Sequence, residues 1–171
     1  MSYFRIKKLE KEDIQLFKVR KFLFNIIEEE FGYGYIPEYH KDIKALADHY
    51  IYPMKNQFYM AIHNKTQKVI GTLGIRSYDK NFEIFDGVYQ AEDTASIWRV
   101  FVDNRYRRNG VASSLVKTAE KFCENAGYKQ IYLHTHKTVQ GSVDFWISKG
   151  YKITEDTNNE LGTVHMEKLI L

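Results

Sequence analysis

Between residues 100 and 112 the chain reads Val-Phe-Val-Asp-Asn-Arg-Tyr-Arg-Arg-Asn-Gly-Val-Ala. An apolar strand ends, a basic turn follows, and a helix opens on a glycine. A strand delivered straight into a helix N-terminus builds an anion site, because the first N–H groups of a helix have no intrahelical partner and the positive end of its dipole lies there. Gly110 and Ala112 keep the backbone bare enough for a phosphate to approach. Arg105, Arg107 and Arg108 add three charges that a polyphosphate could use. The plain alternative is an ordinary helix N-capped by Asn109, with solvated arginines. The segment is neither a P-loop nor a Rossmann turn, since Gly-x4-Gly-Lys-Ser/Thr and Gly-x-Gly-x-x-Gly are both absent.

The flanking periodicities supply the fold class. Residues 3–7 read as a strand, and 13–30 as a helix carrying Leu16, Val19, Leu23, Ile26 and Ile27 on one face. Gly32-Tyr33-Gly34-Tyr35 breaks that helix, and Pro37 stands where a second one would begin, running to about residue 51. Residues 58–63 and 69–76 form a hairpin across Asn64–Lys68. A loose acidic and aromatic stretch, 77–93, leads to a strand at 95–102. The helix at 110–126 stops at Gly127, and Cys123 falls on its buried face. Strand 129–135, helix 142–149 and strands 151–155 and 163–169 close the chain. The order β-α-α-β-β-β-α-β-α-β-β gives an α/β fold with a mixed sheet, parallel where strands and helices alternate and antiparallel at the hairpins. At 171 residues without repeats or linkers, the chain reads as a single domain over 1–171.

Composition narrows the function classes. A net charge of +3 is too mild for an electrostatic nucleic-acid binder, and the short turn at Arg105–Arg108 supports only weak phosphate contact. One cysteine excludes an internal disulfide. No apolar run approaches the ~20 residues of a membrane span, and the first residues lack a signal-peptide core, so the expectation is a soluble cytoplasmic protein with no membrane partner. With 13 Tyr, 11 Phe and 2 Trp, rings exceed what a core needs. Some should line a pocket or surface, and exposed ones would allow a homodimer.

Arg107-Arg108-Asn109-Gly110-Val111-Ala112 resembles the Arg/Gln-x-x-Gly-x-Gly/Ala cofactor motif of the GNAT superfamily of acetyl-CoA-dependent N-acetyltransferases. Gly127-Tyr128-Lys129-Gln130-Ile131-Tyr132-Leu133 resembles that family's return into its fifth strand. Phe145-Trp146-Ile147-Ser148-Lys149-Gly150-Tyr151 resembles its Phe-Tyr-x-Lys-x-Gly-Phe segment. The likeness is specific over 95–155. It implies a mainly antiparallel sheet with a splayed parallel strand pair and helices on both faces. It also implies acetyl-CoA as co-substrate, with the pyrophosphate on the N–H groups from Arg108 through Ala112. The edge of Val100, Phe101 and Val102 would pair with the pantetheine amides, the thioester would lie between the splayed strands, and Trp146 would pack on the pantetheine arm. Attack by the acceptor amine would be direct, in a ternary complex, with a strand N–H steadying the oxyanion.

Two catalytic positions depart from the pattern. An alkylammonium with a reference pKa near ~10.4 must lose a proton before attack, and the CoA thiolate must gain one. Family members often place Glu or His partway along the fourth strand as base; the matching positions hold Ser96 and Trp98. Glu92 and Asp93, just upstream, are the nearest carboxylates for a water-relayed base, and both read equally as solvated loop charges. The family's acid Tyr is replaced by Trp146, whose indole does not titrate usefully. Strand alternation places Tyr132, His134 and His136 on one face, which makes His134 the acid/base candidate beside a plain structural role. No carboxylate or cysteine stands at ligand spacing from the two histidines, so no metal is expected.

On the acceptor side, residues 77–93 carry five carboxylates against Lys80. Glu83 and Asp86, mixed with Phe82, Phe85 and Tyr89, would suit a cationic amine with an apolar body, and Phe24 and Tyr33 would join them. Glu28, Glu29 and Glu30 would extend that field. The acceptor classes left open are a polyamine, an aminoglycoside-like amine, an amino acid and a peptide N-terminus. The competing reading is a non-catalytic acyl-CoA sensor or interaction module, which would bind CoA and turn over no amine.

Overall fold

The hairpin at residues 57–77 shows how side chains set the framework. In the computed structural model, which describes residues 2–170, β2 (Gln57–His63) and β3 (Val69–Ser77) pair antiparallel. The imidazole Nδ1 of His63 accepts the N–H groups of Lys65 and Thr66, both at 3.2 Å, and Gln67 turns the chain with a φ of 58°. β1 (Phe4–Lys8) pairs with the other edge of β2.

Helices α1 (Asp13–Leu16), α2 (Val19–Phe31), α3 (Lys41–Lys44) and α4 (Leu46–Tyr50) follow β1. The expected helix over 13–30 is divided at Lys18, whose backbone is left-handed with a φ of 51°. That break changes the helical phase. Val19, Leu23, Ile26 and Ile27 enter the core, whereas Leu16 stays 70% exposed. α1 is anchored instead through buried Asp13, which pairs with Lys7 and accepts the Glu10 N–H at 2.9 Å. Pro37 does not start the second helix. Residues 37–39 form a turn, and α3 opens after His40, whose Nδ1 accepts the Ile36 N–H at 2.8 Å.

The remaining elements are β4 (Thr94–Val102), α5 (Val111–Asn125), β5 (Gln130–His136), α6 (Ser142–Ser148), β6 (Lys152–Asp156) and β7 (Thr163–Leu169). The seven strands lie in the order β1-β2-β3-β4-β5-β7-β6 and are flanked by helices. β4 and β5 run parallel, while β5/β7 and β6/β7 are antiparallel. The parallel pairing covers only Thr94–Ser96 against Gln130–Tyr132, as a splayed pair requires. Among the described residues no helix is long and apolar enough to cross a membrane.

The chain divides into two compact units. Residues 1–76 with 98–121 form the first, whose core joins Val19, Leu23, Ile27, Ile43 and Leu46 to Phe58, Met60 and Ile62. Residues 77–97 with 122–171 form the second, where Tyr78, Phe85 and Tyr89 surround Tyr132. The stretch 77–93, expected to be loose, is therefore partly core. Its apolar rings turn inward, and a short 3-10 helix covers Glu83–Phe85.

Gly71 of β3 lets α5 lie close. A Cβ there would stand 2.9 Å from Val111 Cγ1 and 3.2 Å from both Leu115 Cδ1 and the Phe101 carbonyl oxygen. Val111 is the first residue of α5, so this contact sets the height of the helix N-terminus over the strand. Gly71→Val is expected to lower the unfolding free energy by about 1–3 kcal/mol, measured by urea denaturation.

Candidate active site

The loop from β4 to α5 is built by its own side chains. Asp103 starts it by donating its N–H to the Ile70 carbonyl at 2.9 Å. The Asp103 carboxylate then accepts the Arg105 N–H at 3.0 Å and the Arg105 guanidinium at 2.8 and 3.1 Å. That guanidinium holds the Asp103 carboxyl below the usual carboxylate range. Asn109 does not simply cap the helix. Its side-chain amide turns back to donate to the carbonyls of Tyr106 at 3.2 Å and Arg107 at 2.9 Å. Arg108 and Gly110 are both left-handed, with φ of 64° and 81°. A loop with alternating handedness of this kind turns successive N–H groups toward one side, as anion-binding nests do.

The first helical bond runs from the Ser114 N–H to the Gly110 carbonyl at 3.0 Å. The N–H groups from Gly110 to Ser113 thus stand ahead of the ladder. The three arginines contribute less free charge than the sequence suggests. Arg105 is engaged by Asp103, and Arg107 pairs with Glu30 at the end of α2 while its Nε reaches the Val102 carbonyl at 3.2 Å. Arg108 alone of the three makes no ion pair among the described residues. Glu30 is correspondingly withdrawn from the acidic field expected of Glu28–Glu30.

In the second unit, Asn81, Phe82, Glu83, Ile84, His134 and His165 are among the residues lining a cleft of about 540 Å³. His134 of β5 lies directly opposite His165 of β7 in the strand register, with ring centroids 6.0 Å apart. His136, on the same face as His134, binds Thr163 Oγ1 through Nδ1 at 2.9 Å. The Tyr132 hydroxyl and Nδ1 of buried His165 share a hydrogen bond at 2.6 Å. Burial raises the Tyr132 phenol pKa, so the hydroxyl keeps its proton beside the imidazole. Phe82 packs against His165 with centroids 5.0 Å apart.

Sequence reasoning reached His134 and Glu83 here but missed His165. Only the antiparallel register of β5 and β7 puts it opposite His134, and neither strand's own pattern carries that information. Asp86 is exposed and does not line the cleft, whereas Phe85 and Tyr89 are core rings. Phe24 and Tyr33 lie in the first unit around buried His40, at 5.8 and 6.1 Å between centroids. Asp93 is occupied at the start of β4, where its carboxylate accepts the Thr94 hydroxyl at 2.9 Å and its carbonyl accepts the Lys129 N–H at 2.8 Å. Glu92 is exposed beside it, and Ser96 is buried. Trp146 is buried against Phe145 and Tyr151, each at 5.1 Å between centroids. Among the described residues no group of three His, Cys, Asp or Glu side chains is arranged to hold a metal.

The model of the acetyltransferase (GNAT) family matches residues 20–151, from α2 to the residue before β6. The chain belongs to the GNAT family. It is 26% identical over 113 residues to N-acetyltransferase 8 of Homo sapiens, a match covering 66% of this chain and 46% of that protein. The GNAT chain thus spans less than half the length of this curated relative. Solved structures share its fold at low identity. A GNAT acetyltransferase from Staphylococcus aureus Mu50 has a TM-score of 0.77 at 18% identity, covering 98% of this chain and 99% of that one. PaiA N-acetyltransferase from Thermoplasma acidophilum, in complex with coenzyme A, has a TM-score of 0.69 at 18% identity and covers 99% of each chain.

Burial lowers the pKa of His136 and of His165, and the Lys80 ammonium lowers that of His165 further while Glu155 opposes it. His40 is lowered too, again chiefly by burial. The unfolded chain therefore takes up protons near pH ~6.5 before the folded one does. Unfolding free energy is expected to be fully retained above that pH and to fall as pH drops from 7.5 to 5.5. Urea titrations at both values measure the fall, and His165→Gln should shrink it.

Proposed function

We propose that this GNAT chain transfers the acetyl group of acetyl-CoA to a primary amine by direct attack in a ternary complex. The observation that carries the reading is the opening of α5. Arg108 and Gly110 hold left-handed backbone, Asn109 secures the loop carbonyls, and the amides ahead of Ser114 stand outside the ladder. Such an array fits a pyrophosphate, and Gly110 has open space where a side chain would begin. The N–H groups from Arg108 to Ala112 would take the pyrophosphate, with Arg108 as the neighbouring cation. Val100 to Val102 would offer strand pairing to the pantetheine amides, and a β4 N–H would polarise the thioester carbonyl. Acetyl-CoA would supply the electrophilic carbonyl and the thiolate leaving group. The complex of the Thermoplasma relative with coenzyme A supports this choice of co-substrate.

For the acceptor, the cleft of the second unit favours an amine with an apolar body. Glu83 supplies its carboxylate, Phe82 and Ile84 its apolar wall, and the histidines its proton-handling groups. His134 is assigned the acid/base role, because Asp93 is already bonded to Thr94 and Trp146 carries no titratable proton. The nitrogen would pass its proton to the protein as the C–N bond forms, and the collapsing tetrahedral centre would expel the CoA thiolate, which takes a proton in turn.

Calorimetric titration of acetyl-CoA tests the first half. Micromolar binding is expected for the wild type and none for Gly110→Glu, whose carboxylate would occupy and repel the phosphate position. A panel of a polyamine, an aminoglycoside, an amino acid and a peptide, read by thiol release, tests the second half. His134→Ala is expected to lower kcat about 100-fold, and Glu83→Gln to raise KM several-fold for a cationic acceptor. Binding with no turnover on any amine would instead establish the acyl-CoA sensor that Trp146, standing in the place of an acid tyrosine, makes the competing reading.

A further inference from the structure

Arg99 is the one non-glycine residue among the described residues that adopts a left-handed backbone inside a strand, with a φ of 53° in β4. The other four, Lys18, Gln67, Arg108 and Asn158, lie at loops or a helix end. Any L side chain is strained there, and glycine would take the same angle freely. An arginine at this position has to be held by its side chain.

The holding contacts are all within the first unit. Arg99 Nε donates to Asp42 Oδ2 at 3.0 Å and Nη2 to Asp42 Oδ1 at 2.7 Å, a two-point fork that the guanidinium plane makes possible. Nη2 also reaches the Tyr39 carbonyl at 2.5 Å. Asp42 is 3% exposed, and its Oδ2 accepts the hydroxyl of fully buried Tyr50 at 2.5 Å. On the backbone side, the Arg99 carbonyl accepts the hydroxyl of buried Thr72 at 2.8 Å. Arg76 stacks its guanidinium 4.2 Å from the centre of the neighbouring Trp98 ring. The irregular stretch of β4 is thus fastened to α3, to the turn before it and to β3.

We propose that Asp42 and Arg99 form a clamp that holds β4 at Trp98–Val100 in the conformation acetyl transfer requires. Both are positioning residues, and the proposal rests on the transferase reading above. The dihedrals at Arg99 set the direction of the peptide group joining it to Val100, and the Val100 N–H belongs to that group. A donor aimed at a developing oxyanion loses its effect when the peptide turns away. The pyrophosphate amides at 108–112 are secured separately by Asp103 and Asn109, so releasing the clamp acts on turnover more than on cofactor affinity.

The test compares wild type with Asp42→Asn, Arg99→Ala and Arg99→Gly. Acetyl-CoA affinity is read by calorimetry and acetyl transfer to the fastest amine of the panel by thiol release, below the melting temperature of each variant. Affinity is expected to stay within threefold throughout, while kcat falls at least tenfold in Asp42→Asn and Arg99→Ala. Arg99→Gly, which accepts the left-handed angle without strain, should retain more kcat than Arg99→Ala despite losing the same fork. Should Asp42→Asn or Arg99→Ala fail to fold, Arg99→Lys keeps the charge and loses the fork, with a threefold to tenfold fall in kcat expected. Wild-type kcat in folded Asp42→Asn and Arg99→Ala, with only Tm reduced, would overturn the clamp and leave the transferase reading intact. A wild type that binds no acetyl-CoA would overturn that reading and the clamp together.

Discussion

A helix that opens in the middle of a fold presents several N–H groups that its own geometry leaves unpaired, and the first unit is organised around that fact at α5. The loop ahead of the helix contains two left-handed residues, Arg108 and Gly110. Asp103 ties its start to β3 and braces Arg105, while Asn109 satisfies the carbonyls of Tyr106 and Arg107. Each of these bonds uses a side chain or a carbonyl and leaves the leading amides available. Gly71 then brings the helix N-terminus close over β3, where one extra carbon would collide with Val111. The proposed phosphate position rests on backbone geometry more than on arginine charge.

The charged side chains around this loop serve mainly to hold it. Arg107 pairs with Glu30 and Arg105 with Asp103, so two of the three turn arginines fix structure. Arg99 and Asp42 do the same for the irregular stretch of β4, in a setting where a lone buried charge would be costly. The second unit is built differently. Its rings pack around Tyr132, whose hydroxyl is bonded to His165, and the cleft beside Phe82 is lined by imidazole, amide and hydroxyl groups with Glu83 as its carboxylate.

Much of the fold was legible because it rests on local pattern. The alternation at 58–63 and 69–76, the apolar face at 110–126 and the stop at Gly127 each reflect one element's own burial, and each matched within a residue or two. The segment around Gly110 was legible for the same reason, since a strand, a turn and a helix start are consecutive in sequence. The helix over 13–30 was misread because nothing local marks Lys18 as left-handed. The Lys7–Asp13 pair and the demand that Val19 enter the core set the break there. The loop at 77–93 looked loose because five carboxylates obscured three rings that are buried only by packing on another strand.

By itself, then, the sequence determined the order of elements, the mixed sheet and the glycine-led helix start, all of which follow from spacing along the chain. Tertiary structure alone decided which charges are spent on each other and which histidines meet. Arg99 and Asp42 are separated by 57 residues and His134 and His165 by 31, and only strand register and helix packing bring them together. A side chain's chemistry depends on its neighbours' burial and charge, and those neighbours are chosen by the fold.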